Sequence, residues 1–264
     1  MKKYAYYHMY LTEDNGAWSS YLLENYKRME DNGLLDVLEK IYLIAIGKEK
    51  NLTMADNLSA ALSNKYVFIP YKNTFNSDSD LNLLNNDRMH VPQVSENVTM
   101  KLIYDHACIE DAYFMYNHSK GITSFERHLS KEKYQEFINY YYWKEYISWG
   151  VIDNWKLCNT MLDNDFHTAG TNYYDVPHKH YSGNTWWATS RYIRALPDPT
   201  TNEWWEDIQR TTTDIWLKNC SIRYKDEQWL CCHPDVKIFN LLNIEPILGK
   251  KDLAYARAIK KLYA

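Results

Sequence analysis

Two segments of the chain bring together residue types that do chemistry. The denser is His178-Lys179-His180-Tyr181-Ser182-Gly183-Asn184-Thr185-Trp186-Trp187. Histidines at period-two spacing share one face of an extended chain, and here they stand beside a Ser-Gly-Asn turn and paired tryptophans. Sugars offer apolar C–H faces to aromatic planes and hydroxyls to His, Asn and Ser. His178, Tyr181, Ser182, Gly183, Asn184, Trp186 and Trp187 are therefore candidate acceptor- or sugar-binding residues. Two plainer readings compete: a His-x-His pair suits a metal, and tryptophans are often core.

The second segment is His118-Ser119-Lys120-Gly121, directly after the apolar run Ala112 to Asn117. Lys120 is a compact cation suited to phosphate oxygens, and Gly121 permits close approach of backbone N–H groups. That combination suits a diphosphate; a polar turn with a solvated lysine is the ordinary alternative.

The elements that must position these segments alternate strand and helix patterns. Tyr4 to Leu11 reads as a strand buried on both faces, and Trp18, Leu22, Tyr26 and Met29 repeat at helical spacing until Asn32-Gly33 stops them. Lys40 to Ile46, closed by Gly47, and Tyr66 to Tyr71 are the next strands. Lys72 to Ser95 reads as an Asn/Asp/Ser loop, Glu96 to Ile109 as a helix, and Ala112 to Asn117 as a fourth strand. Beyond it the pattern predicts helices over Lys131 to Trp149 and Val151 to Leu162, a strand from Asp165 to Tyr174, and another near Cys220 to Trp229. This is the signature of an α/β domain with a largely parallel central sheet flanked by helices. In such sheets ligands bind at the carboxyl ends of strands, near a switch in strand order.

Composition narrows the classes. The 264 residues are 45% hydrophobic and 24% charged, with a formal charge of -4, so the chain can bury a full core and carries no basic excess for nucleic acid. Aromatic residues reach 16%, chiefly tyrosine. Five cysteines without framework spacing, and no run long enough to span a bilayer, read as reduced thiols in a cytoplasmic protein. Sequons occur at Asn51, Asn57, Asn97, Asn117 and Asn219, but Asn117 closes what looks like a buried strand, so they read as chance matches. We expect one domain over residues 1–248 and a basic helix over 249–264. In that helix Leu253, Ala256, Ile259 and Leu262 share a face ringed by Lys250, Lys251, Arg257, Lys260 and Lys261, a pattern that can lie on an anionic membrane or pack on its own domain.

The opening YYHMYL, the strand KIYLIAIG, the strand end YNHSKG and the stretch PHKHYSGNTWWATSRYIRALP together resemble a poorly characterised family of glycosyltransferase-like proteins. The resemblance runs from about Tyr4 to Pro197 and implies a GT-A-like, Rossmann-like nucleotide-sugar-binding domain. It implies a nucleotide-sugar donor at His8, Tyr10, Thr12, His118, Lys120 and Gly121, and a glycan or other hydroxyl acceptor beside the aromatic segment. In GT-A enzymes the fourth strand normally ends in Asp-x-Asp, which holds a divalent metal on the donor diphosphate. This chain has His118-Ser119-Lys120 there, which leaves a Mn²⁺ or Mg²⁺ requirement open and points to Lys120, with His118, as the group that neutralises the leaving diphosphate. Asp78-Ser79-Asp80 and Asp163-Asn164-Asp165 read as loop and turn rather than metal sites. For the base that activates an acceptor hydroxyl, His180 and Asp214 stand out among Asp175, His178, Glu203 and Glu206.

The expected function is glycosyl transfer. Its rival is a non-catalytic carbohydrate- or nucleotide-sugar-binding protein on a transferase-like fold. A methyltransferase is disfavoured because no glycine-rich loop follows the first strand, where Gly16 stands alone.

Overall fold

The computed structural model describes residues 1–11, 17–72, 96–119, 143–175, 178–212, 218 and 225–242. The strands are β1 (Lys2–Leu11), β2 (Lys40–Gly47), β3 (Tyr66–Lys72), β4 (Ala112–His118), β5 (Thr168–Gly170), β6 (Tyr173–Tyr174), β7 (His180–Tyr181), β8 (Trp186–Thr189) and β9 (Ile238–Asn240). The helices are α1 (Ala17–Asp31), α2 (Leu34–Val37), α3 (Glu49–Leu62), α4 (Asn97–Ile109), α5 (Trp155–Asp163), α6 (Ser190–Ala195), α7 (Glu203–Thr211) and α8 (Lys225–Trp229). Seven strands form one sheet in the order β3-β2-β1-β4-β8-β5-β9, and β6 with β7 makes a separate hairpin.

β1 is the centre because it is apolar on both sides. Ala5, Tyr7, Met9 and Leu11 face one core with Trp18, Leu22 and Met29 of α1, Leu52 and Ala55 of α3, and Cys158 and Leu162 of α5. Tyr4 and Tyr6 face the other, with Met100, Ile103 and Ala107 of α4, Tyr192 and Ile193 of α6, and Trp229 of α8. Helices on both faces permit the near-continuous apolar strands that a parallel sheet requires. β1 pairs in parallel with β2 and β4, and β2 with β3, while β8 lies antiparallel between β4 and β5.

The chain thus runs outward from β1 to β3 and then crosses back to place β4 on the opposite side of β1. That reversal is a switch in strand order, and it opens between the carboxyl ends of β1 and β4.

Several expectations shift. α1 buries Trp18, Tyr21, Leu22, Asn25 and Met29, with Tyr26 only half-buried; Gly33 follows with φ of 78°, as a helix-stopping glycine should. The helices expected to meet at Trp149 and Val151 are joined by a π-helical turn, Trp149–Asp153. Gly150 in that turn packs so close to Thr171 that a Cβ would come within 2.4 Å of its methyl group. The strand expected near Cys220 to Trp229 is helical over Lys225–Trp229, and a strand forms instead at Ile238–Asn240. Lys225 and Asp226 turn inward there, Lys225 to Asn202 at 2.8 Å and Asp226 to the amide of Asn97 at 3.1 Å, and helical backbone accommodates both. The Asn-rich loop beyond Lys72, Cys220 and the basic C-terminal segment lie outside the described residues. Among the described residues, no helix is long and apolar enough to cross a membrane.

Candidate functional site

At the switch in strand order His8 and His118 stand side by side in register on β1 and β4. Alternation puts both on the α4 face of the sheet. His8 is buried, with Nδ1 2.8 Å from Thr99 Oγ1, and burial pushes its imidazole down to about 4. His118 is buried too. Its Nε2 donates to the carbonyl of Gly183 at 2.5 Å, and its Nδ1 lies 3.5 Å from Glu96 Oε1. The strand ends are stitched together by Ser119, whose amide donates to the carbonyl of His8 and whose hydroxyl accepts from the amide of Tyr10, both at 3.0 Å.

Glu96 is the hub. Its Oε2 accepts from Tyr116 OH at 2.8 Å and from Asn184 Nδ2 at 2.6 Å. Asn184 is itself oriented by Trp186, whose Nε1 donates to Asn184 Oδ1 at 3.0 Å. Burial, then the Glu96 carboxylate, holds the Tyr116 phenol far above its ordinary range, so it stays a donor. The arrangement joins the start of α4, the end of β4 and the Ser-Gly-Asn turn.

That turn has a local reason. The amide of Asn184 donates to the carbonyl of Tyr181 at 2.8 Å, and Gly183 takes φ of 94° in the third turn position, which excludes most side chains. A Cβ on Gly183 would also press on Ile147 and Trp143.

The sequence-derived candidates divide. The structure brings together His8, Tyr10, His118, Gly183 and Asn184. It removes the sugar platform, because Trp186 and Trp187 have no exposed surface and Tyr181 almost none. β8 has a strand on each side and helices on both faces, so successive side chains enter the two cores and neither indole presents a face to solvent. Trp187 Nε1 donates to Val151 O at 2.7 Å, and Tyr181 OH to Phe239 O at 3.1 Å. His8 is likewise withdrawn from any nucleoside, whereas the neighbouring Tyr10 is only partly buried. His178 and His180 share a face, with ring centroids 4.5 Å apart, and His180 stacks on Tyr174 in the β6–β7 hairpin. Ser182 is half-buried at the turn. Thr12, Lys120, Gly121 and Asp214 lie outside the described residues.

Glu96 was not among the candidates, since an acidic residue at a helix start reads as a solvated first-turn charge. A signal was present: Glu96 and Thr99 continue, at i and i+3, the stripe of Ile103 and Ala107, so polar residues occupy a buried face.

The described residues at the end of β4 do not fit a divalent ion. His118 commits Nε2 to a carbonyl, Ser119 Oγ accepts from the chain, and no cluster of three His, Cys, Asp or Glu suited to a metal occurs among the described residues. Asp163-Asn164-Asp165 is a turn, with Asp163 accepting from Tyr113 OH at 2.5 Å and Asp165 at φ of 70°. Asp78 and Asp80 lie outside the described residues.

Fold and site define an α/β protein with a hydrogen-bonded polar cluster at a strand-order switch. The chain belongs to the family described as domain of unknown function DUF8361, which it matches over residues 6–245. No curated protein matches it. Among solved structures, it is similar to the crystal structure of 4-diphosphocytidyl-2C-methyl-D-erythritol synthase from Anaerococcus prevotii DSM 20548, at 8% identity and a TM-score of 0.34, over 100% of this chain and 99% of that one. A likeness so distant supports no assignment.

Proposed function

We propose that this protein is a GT-A-like glycosyltransferase that moves a sugar from a nucleotide-sugar to a glycan or other hydroxyl acceptor. The observation that carries the reading is the polar cluster at the carboxyl ends of β1 and β4, where the strand order switches. It gathers a partly buried tyrosine (Tyr10), a hydrogen-bonded carboxylate (Glu96) and the Ser-Gly-Asn turn at the place where open α/β sheets bind ligands. His118 of one segment by which the sequence resembles nucleotide-sugar transferases meets Gly183 of the other there.

Transfer from a nucleoside diphosphate needs three services: charge stabilisation on the departing phosphate, a held sugar and an activated hydroxyl. Lys120, which follows Ser119 directly, is assigned the first. Tyr10 is assigned the nucleoside base, by stacking.

A thermal-shift panel of UDP-, GDP-, CMP- and dTDP-sugars, with and without Mn²⁺, tests the reading. One nucleotide class should raise the melting temperature, as any ligand of the folded state does, and the protein should slowly hydrolyse that donor. A flat response across the panel would remove the transferase reading. Stabilisation without hydrolysis or transfer would leave only the binding protein.

A further inference from the structure

We propose that Glu96 is the proton acceptor of this site and that His118 is its positioning partner. The proposal rests on the transfer reading for the identity of the hydroxyl that Glu96 deprotonates.

Glu96 stands where α4 begins, yet its carboxylate does not cap that helix. The first amide, Asn97 N–H, goes instead to Asp226 Oδ2 of α8 at 3.1 Å. The Glu96 side chain is turned to the switch point, where Oε2 takes the two neutral donors, Tyr116 and Asn184, and Oε1 faces His118.

The ring of His118 fixes where a proton sits. Its Nε2 must donate, because Gly183 O is a carbonyl with no proton to give. A bare lone pair on Nδ1 would then point at a carboxylate oxygen 3.5 Å away, whereas an Nδ1–H points a proton at it. A second proton on Nδ1 makes the pair an imidazolium and a carboxylate, the state we assign to it. Among the described residues, the groups near it include His8 on β1, Thr99 on α4, Tyr116 stacked on the His118 ring at 5.9 Å, and Asp226 and Glu227 of α8 near Tyr116. Of the pair, the Glu96 side chain is 21% exposed and that of His118 only 5%, so Glu96 is the member that an incoming hydroxyl can reach.

The step is a single displacement with inversion. The acceptor oxygen forms its bond to the anomeric carbon and its proton passes to Glu96 Oε1. The bond from that carbon to the diphosphate oxygen breaks, and its electron pair leaves on the diphosphate. No other reactant is consumed.

Glu96→Gln and Glu96→Asp test this in the full chain with the donor found by thermal shift. Glu96→Gln should keep the donor-induced shift and lose kcat by about 100-fold or more, with the acid limb of the pH-rate profile abolished. Glu96→Asp should recover part of the rate, and it carries the test if the glutamine variant does not fold. Nitrogen-15 NMR should find both His118 ring nitrogens protonated at pH 7 in the wild type and Nδ1 deprotonated in Glu96→Gln. A glutamine variant within about fivefold of wild type would overturn the acceptor role, and a bare Nδ1 in the wild type would overturn the pair. A wild type that binds no nucleotide-sugar would sink the transfer reading, and with it the acceptor role, while the ring-nitrogen measurement still decides whether the pair exists.

Discussion

The two ends of α4 use the same residue types for different ends. Beyond its C-terminus, Glu110 accepts from Tyr4 OH at 2.5 Å and His106 Nε2 at 3.0 Å and pairs with Lys2, while Tyr6 OH meets His106 Nδ1 at 2.7 Å. At its start, Glu96 gathers Tyr116, Asn184 and His118. Both are partly exposed carboxylates set among tyrosine and histidine. The Lys2 ammonium, then Tyr4 and His106, hold the Glu110 carboxyl down at about 2, so it remains a fixed anion that clamps the amino ends of β1 and β4 to the helix. Glu96 accepts from Tyr116 and Asn184 and faces His118, and it stands at the carboxyl ends of the same strands. What separates a clamp from a site is which end of the strands the group occupies.

The largest expected effect is at the site end. Folded His8 stays neutral down to about pH 4, whereas the unfolded side chain takes up a proton near pH 6.5. Above pH 6.5 its contribution to stability is whole. As pH falls from there towards 4, the unfolded chain binds the extra proton, and stability falls by about 3 kcal/mol in all. Urea denaturation from pH 7.5 to 4 should show that slope in the wild type and lose most of it in His8→Gln. An unchanged slope would mean that His8 is not the buried neutral imidazole that distinguishes this end.

A matched pair of substitutions compares the ends directly. Tyr116→Phe removes a buried donor from Glu96 and should cost about 1.5–3 kcal/mol, because the carboxylate loses one of two short neutral hydrogen bonds. Tyr4→Phe should cost about 0.5–1 kcal/mol, since Glu110 keeps Lys2 and His106 and is open to water. Equal urea midpoints at pH 7 for the two variants would erase the difference in how the carboxylates are held.

Much of this frame was legible in the sequence. β1, β2 and β4 declare themselves as continuous apolar runs, since a strand buried on both faces needs no partner to be read, and Asn117, read as buried in spite of its sequon, is fully buried. The same double burial defeated the reading of Trp186 and Trp187. Paired aromatics beside Ser-Gly-Asn look alike whether they line a cleft or a core, and only the neighbours of β8 decide. Glu96 was illegible for the complementary reason. Its partners lie 20, 22 and 88 residues away, and no local pattern announces that α4 will be capped from α8 and leave the carboxylate to the polar cluster.

The smallest effect belongs to Lys2→Met. Lys2 is more than half-exposed, so its pair with Glu110 is screened by solvent, and no resolvable change in melting temperature is expected at pH 7. The carboxyl should respond even so. With the ammonium gone, Glu110 should titrate above about 2 but still below an ordinary carboxylate, because the hydrogen bonds from Tyr4 and His106 persist. A depressed carboxyl contributes stability that is present above the unfolded value near 4.5 and lost as pH falls towards 2, so the variant should lose less in that window than the wild type. NMR titration of the Glu110 side chain measures the first effect, and acid unfolding the second. The donor-induced thermal shift should not move. If it does, the clamp is coupled through α4 to the polar cluster, and the two ends are parts of one site.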